Sequence, residues 1–120
     1  MLKIVELSLL YDFFGQLLTE KQQRVFELYY DDDLSLGEIA ENLNITRQAV
    51  YDNLRRAEKL LYNYEKKLKL VDKFLNQQEK IIKIKINILE CKNKVEMIQN
   101  KELLKMIENI ENILNELSTD

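Results

Sequence analysis

The chain has no histidine, no proline and no tryptophan, and only two glycines and one cysteine among its 120 residues. Without proline, and with so little glycine, almost nothing interrupts a helix, so an all-α fold is expected. The single Cys91 excludes an intramolecular disulfide, and the lack of histidine removes any Cys/His set for a metal. Cys91 falls on an apolar helical stripe, where a buried structural thiol is expected. The Ser–His and Cys–His pairs of nucleophilic catalysis are missing, as is a glycine-rich phosphate loop. Carboxylates are numerous but spread over helical positions as solvating charge. No enzymatic activity, cofactor or small-molecule substrate is therefore expected.

Long hydrophobic runs are also lacking. The apolar start, Met1 to Phe14, is interrupted by Glu6 and Asp12 and leads to no small-residue cleavage site, so it is not read as a signal peptide. Nothing approaches a membrane span in length, and a cytoplasmic protein is expected. What is present, 46% apolar and 32% charged residues, suits a helical domain with a solvated surface. A three-helix unit of about 65 residues buries a modest core, so support from further helices or from oligomerisation is expected.

The organising stretch is residues 35–56. Two helix starts lie eleven residues apart. Ser35 with Glu38 forms a capping box, flanked by Leu34 and Ile39 as a hydrophobic staple. Thr46 caps the second helix, with Ile45 and Val50 in the staple positions. Between them, Asn44 is suited to the left-handed conformation that a sharp turn needs. Ile39, Ala40 and Leu43 line one face of the first helix, Val50 with Leu54 or Ala57 one face of the second, and Ala40 is small where crossing helices come closest. This is the spacing of a helix-turn-helix, whose second helix presents Arg47, Gln48, Tyr51, Asp52 and Arg55 on its other face. A helical hairpin with no nucleic-acid role has the same local pattern.

Along the chain, helix 1 is expected over 2–14, with Gly15 as its stop. Its apolar residues cover more than one face, so it needs two partners. Helix 2 starts at Thr19, with Gln22 completing a second capping box, and ends near Tyr30, where Asp31, Asp32 and Asp33 oppose the helix dipole. Helix 3 spans roughly 36–43. Helix 4 follows Thr46 with no breaker until well past Lys69, on a seam of Leu54, Ala57, Leu61, Tyr64, Leu68 and Val71. Two more helices, about 72–97 and 101–117, carry seams of Ile81, Ile84, Ile88, Cys91, Val95 and Ile98, then Leu103, Ile107, Ile110, Leu114 and Leu117, with Asn100 capping the second. Residues 82–88 also alternate with period two, but with no turn chemistry nearby a helix is expected there. The domains are thus 1–70, the helix-turn-helix domain, and 71–120, a C-terminal helical extension. The unpaired seams point to a homodimer with an apolar, helical interface.

The run from Leu18 to Tyr30, then Leu34 to Glu41 and Thr46 to Glu58, resembles region 4 of bacterial sigma factors. It is more similar still to the YlxM family of small bacterial helix-turn-helix proteins. Tyr11-Asp-Phe-Phe, Tyr29-Tyr30 with the following aspartates, and Thr46 to Asp52 carry that resemblance, specifically over residues 8–74. It implies a sigma-region-4-like core with a long recognition helix and no enzymatic activity, and a role in regulating or assisting the signal recognition particle pathway. By position, Thr46, Arg47 and Gln48 then begin the recognition helix, where Arg pairs with guanine and Gln with adenine. Tyr51, Asp52 and Arg55 follow one and two turns on, and Arg56 reaches for a phosphate. Against those roles stand packing of Tyr51 on helix 3 and an ion pair of Asp52 with Arg55 or Arg56.

Charge weighs against strong DNA binding. Residues 1–60 hold 7 Lys/Arg against 11 Asp/Glu, and non-specific affinity comes mostly from basic charge near phosphates. A local stripe of Arg47, Arg55, Arg56 and Lys59 would have to suffice. Two functions are therefore expected to compete: a dimeric regulator binding DNA or RNA, and a protein–protein adaptor of the signal recognition particle machinery.

Overall fold

A computed structural model describes residues 2–118, which form six α-helices and one short 3-10 turn, with no strand among the described residues. The helices are α1 (Lys3–Phe14), α2 (Glu20–Tyr30), α3 (Leu36–Leu43), α4 (Arg47–Leu68), α5 (Leu70–Ile98) and α6 (Lys101–Ser118). The chain divides into two compact units, Met1–Asp72 and Lys73–Asp120.

In the first unit α1, α2 and α3 all pack on α4. Each presents apolar residues at helical spacing: Leu7, Leu10 and Phe14 from α1, Val25, Phe26 and Leu28 from α2, and Ile39 and Ala40 from α3. They close over Val50, Leu54, Ala57 and Leu61 of α4. Tyr11 stacks flat on Phe26, with ring centres 4.4 Å apart, and its hydroxyl donates to Glu27 at 2.6 Å. The Tyr30 hydroxyl likewise donates to Glu58, so one phenol ties α1 to α2 and another ties α2 to α4. Burial, followed by the bonded carboxylate, pushes both phenols far above their ordinary range. The outer side of α1 remains open, with Leu2, Ile4 and Val5 exposed.

Helix starts follow the expected caps. Thr19 and Gln22 exchange both bonds of a capping box, as do Ser35 and Glu38. Asn100 Oδ1 accepts from the Leu103 N–H at 3.1 Å. The stops differ in two places. α1 does end at Phe14, but Gly15 has a right-handed φ of −56° and begins the 3-10 turn. Glycine is needed there for space: a Cβ would lie 2.9 Å from the Tyr11 ring, which Phe26 and Glu27 hold in place.

The second difference is at Lys69. Helix 4 does not run on past it; Lys69 adopts a left-handed φ of 55° and α5 begins at Leu70. The Glu65 carboxylate supplies the reason, accepting from the N–H groups of Val71 and Asp72, both at 2.9 Å. Those donors would otherwise be orphans of the new helix. The break buries Val71 but leaves Leu68 53% exposed, so the α4 seam ends at Tyr64.

In the second unit α5 and α6 run antiparallel. Lys85 Nζ donates to Ser118 Oγ at 2.7 Å, and Lys92 Nζ lies 3.1 Å from Glu111. From Ile81 on, the more buried residues of α5 are Ile81, Lys85, Ile88, Lys92 and Val95, a heptad whose alternate places are lysines. Cys91 is therefore exposed rather than buried. The inward row steps four residues from Ile88 to Lys92, not three to Cys91, because the lysine stems cover the seam while their heads reach partners on α6. Ile84 and Ile98, on the row with Cys91, are exposed too.

Candidate nucleic-acid interface

The turn between α3 and α4 fixes the site. Asn44 takes φ 56°, ψ 47°. The N–H of Ile45 reaches back to the Ala40 carbonyl at 3.1 Å and that of Asn44 to Glu41 at 3.4 Å, the pair of bonds that closes a Schellman stop. Asparagine tolerates this conformation better than other non-glycine residues. Thr46 then opens α4, its Oγ1 accepting from the Ala49 N–H at 3.0 Å. With Val50, Leu54 and Ala57 anchored in the core, the opposite side of α4 is compelled to face solvent.

All seven residues singled out from the sequence, Thr46, Arg47, Gln48, Tyr51, Asp52, Arg55 and Arg56, are exposed on this helix or its cap. Gln48 Nε2 donates to Asp52 Oδ1 at 3.0 Å, so Asp52 is engaged by an amide one turn back. This leaves the second N–H of Gln48 and its Oε1 for an adenine edge. Tyr51 borders a groove of about 390 Å³ with Leu36, Arg47 and Gln48, yet stays 44% exposed. Its ring lies 6.0 Å from the Arg55 guanidinium, within range of a cation–π contact.

Two turns further along α4 lies an open cleft of about 320 Å³, lined by Lys3, Arg55, Arg56, Glu58, Lys59 and Tyr62. Four cations meet one carboxylate, and Glu58 accepts from Tyr30. Burial, then the nearby Glu6 and Glu58, raises the Tyr62 phenol above its ordinary range. Lys3 is the member that sequence reasoning missed. It stands some fifty residues from the arginines, and only the packing of α1 on α4 brings it there. Four of the eighteen Lys and Arg side chains thus meet beside the presented face of α4. Among the described residues no group of His, Cys, Asp and Glu is placed to hold a metal ion.

An exposed, cap-initiated helix set behind a left-handed turn on a three-helix support defines a helix-turn-helix protein. The family model described as "Putative helix-turn-helix protein, YlxM / p13 like" matches residues 1–110, and the chain belongs to that family, UPF0122. The match extends well beyond residues 8–74 and takes in α5 and part of α6. A UPF0122 protein of Desulforamulus reducens is 55% identical over 85 residues, covering 71% of this chain and 72% of its own. One from Clostridium acetobutylicum is 48% identical over 116 residues, 95% of this chain and 96% of its own. One from Bacillus cereus strain AH187 is 45% identical over 111 residues, 92% and 96% respectively. No helix among the described residues is long and apolar enough to cross a membrane.

Proposed function

We propose that this protein is a non-enzymatic, cytoplasmic regulator that binds DNA as a homodimer through the first turns of α4. The observation that carries the reading is the presentation of Arg47, Gln48, Tyr51 and Arg55 on the solvent side of a helix whose start is fixed by Asn44 and Thr46. In this reading Arg47 and Gln48 meet base edges, and Arg56 with the Lys3–Lys59 cleft holds the phosphate backbone. B-form DNA is preferred to RNA because its major groove admits an α-helix, whereas that of A-form RNA is too narrow. The resemblance to the YlxM family supports placing this activity in the signal recognition particle pathway.

Binding to a duplex pool, titrated with salt, tests it. Arg47→Ala and Gln48→Ala are each expected to weaken sequence preference by roughly 1–3 kcal/mol, the discrimination that one bidentate base pairing supplies. Arg56→Ala is expected to lower affinity evenly across sequences and to reduce the salt slope by about one. Binding that ignores all three substitutions removes base readout by α4. A second reading, an adaptor of the signal recognition particle machinery with no nucleic-acid ligand, is favoured by the acidic balance of residues 1–60 and by Asp52 in the middle of the presented face. An apolar protein contact would barely respond to the same salt titration.

A further inference from the structure

The hairpin of α5 and α6 leaves apolar side chains exposed on both sides, Ile82, Ile86 and Leu89 of α5 on one and a longer row, mostly from α6, on the other. On α6 the inward row is Leu104, Ile107, Glu111, Leu114 and Ser118. One residue before each lies a second apolar heptad, in which Met106 is 60% exposed, Ile113 56% and Ile110 41%. On α5 the residues one before the inward row are Lys80, Ile84, Asn87, Cys91 and Lys94, all exposed, with Ile98 at the helix end; apolar and polar side chains alternate there, so α6 carries most of the stripe. A step of one residue rotates a side chain by about 100°. In two antiparallel helices, backward rotation from the contact row turns both rows to the same side of the hairpin. The pairs Lys85–Ser118 and Lys92–Glu111 set the level at which they meet, which puts Cys91 between the levels of Ile110 and Ile113 near the middle.

Leu103, Met106, Ile110, Ile113 and Leu117 of α6, each 40% exposed or more, form an unbroken apolar row on this face, with Ile84 and Ile98 of α5 beside it, and contiguous apolar surface of this kind marks a contact site. Inside the hairpin, by contrast, only Ile81 and Leu114 are buried among the described residues. Residues 73–120 hold eight lysines against eight carboxylates. That balance offers nothing to an anionic partner, and it does not repel a second hairpin of the same kind. The stripe is also its own complement. A two-fold axis at the level of Cys91 lays each half of it on the other half, the isologous geometry of a two-fold dimer.

We infer that a second copy of this chain covers this face, the two hairpins closing into an antiparallel four-helix bundle. The inference rests on the dimeric part of the proposed function and gives it a surface; nucleic-acid binding plays no part in it. Sedimentation of the full chain at micromolar concentration is expected to give twice the 14.4 kDa protomer mass. The double variant Met106→Glu, Ile113→Glu is expected to sediment as a protomer with its helical circular dichroism retained. A wild type of protomer mass overturns the dimeric reading itself. A dimer that survives the double variant but is broken by Ile4→Glu on α1 overturns this surface and leaves the dimer standing. Thiol labelling of Cys91 in the wild type provides a readout that needs no variant to fold. Labelling is expected to slow as protein concentration rises, and a rate independent of concentration overturns the surface.

Discussion

The two units use the same helical periodicity to opposite effect. Among the described residues, those of the first unit bury fourteen apolar side chains, Phe14 and Phe26 among them, whereas those of the second bury two. In the first unit three helices converge on α4, so each apolar stripe finds a stripe to meet. In the second, two helices share one seam, two of whose five places on α5 from Ile81 to Val95 are lysines. A core is set by how many faces converge rather than by how much isoleucine and leucine a segment contains. Truncation measures the contrast. Phe26→Ala removes a ring that is 1% exposed and stacked on Tyr11, and is expected to cost about 3–5 kcal/mol of unfolding free energy. Leu114→Ala sits where neighbours can collapse, and the expected cost is about 2 kcal/mol, the low end for leucine. Equal shifts of the denaturant midpoint for the two variants would break the comparison.

The two left-handed residues that end α3 and α4 sharpen it further. Asn44 closes a turn inside the first unit, and its short amide suits φ 56°. Lys69, at φ 55° near the border of the units, has no such compensation and is held by the Glu65 carboxylate and the burial of Val71. Lys69→Gly is expected to raise stability by about 1 kcal/mol, the cost of a side chain in that conformation. Asn44→Gly is expected to change it by a few tenths at most. Chemical denaturation of both variants checks this, and a loss at Lys69→Gly would mean that the lysine side chain contributes more than its backbone costs.

The same pair shows what is legible in the sequence. Ser35 with Glu38, Thr19 with Gln22, Thr46, Asn44 and Asn100 are local signals, each satisfied within a few residues, and all cap or stop helices where their patterns place them. Lys69 carries no local signal, because the residue that stabilises the break is a glutamate one turn earlier acting on amides beyond it. Cys91 departs from expectation for a different reason. Ile84, Ile88 and Cys91 make as regular an apolar row as Ile81, Lys85 and Ile88, and only the partners on α6 decide which one turns inward. The α4 face is legible because its core side is unambiguous, whereas Lys3 reaches the basic cleft through packing alone.

The smallest effect at neutral pH belongs to the tyrosines, and it too separates the units. All six lie within residues 1–72 and none in 73–120. Tyr11 and Tyr30 are held above their ordinary value near 10 by burial and by hydrogen bonds to Glu27 and Glu58. A folded pKa raised above the unfolded one contributes stability that is complete below the unfolded value and is lost as pH climbs through the folded one. The window is therefore alkaline, opening near pH 10, with no change expected between pH 6 and 9 from these two groups. The second unit has a shift of the same sign at Lys92, raised chiefly by its hydrogen bond to Glu111, but that pair is only partly shielded from solvent and its effect is screened. Tyrosinate absorbance recorded alongside circular dichroism is expected to show two phenols ionising only as the helices of the first unit melt. Ionisation of Tyr11 and Tyr30 near pH 10 while the helical signal holds would mean that they do not tie α1, α2 and α4 together, and the first unit would then rest on its apolar core alone.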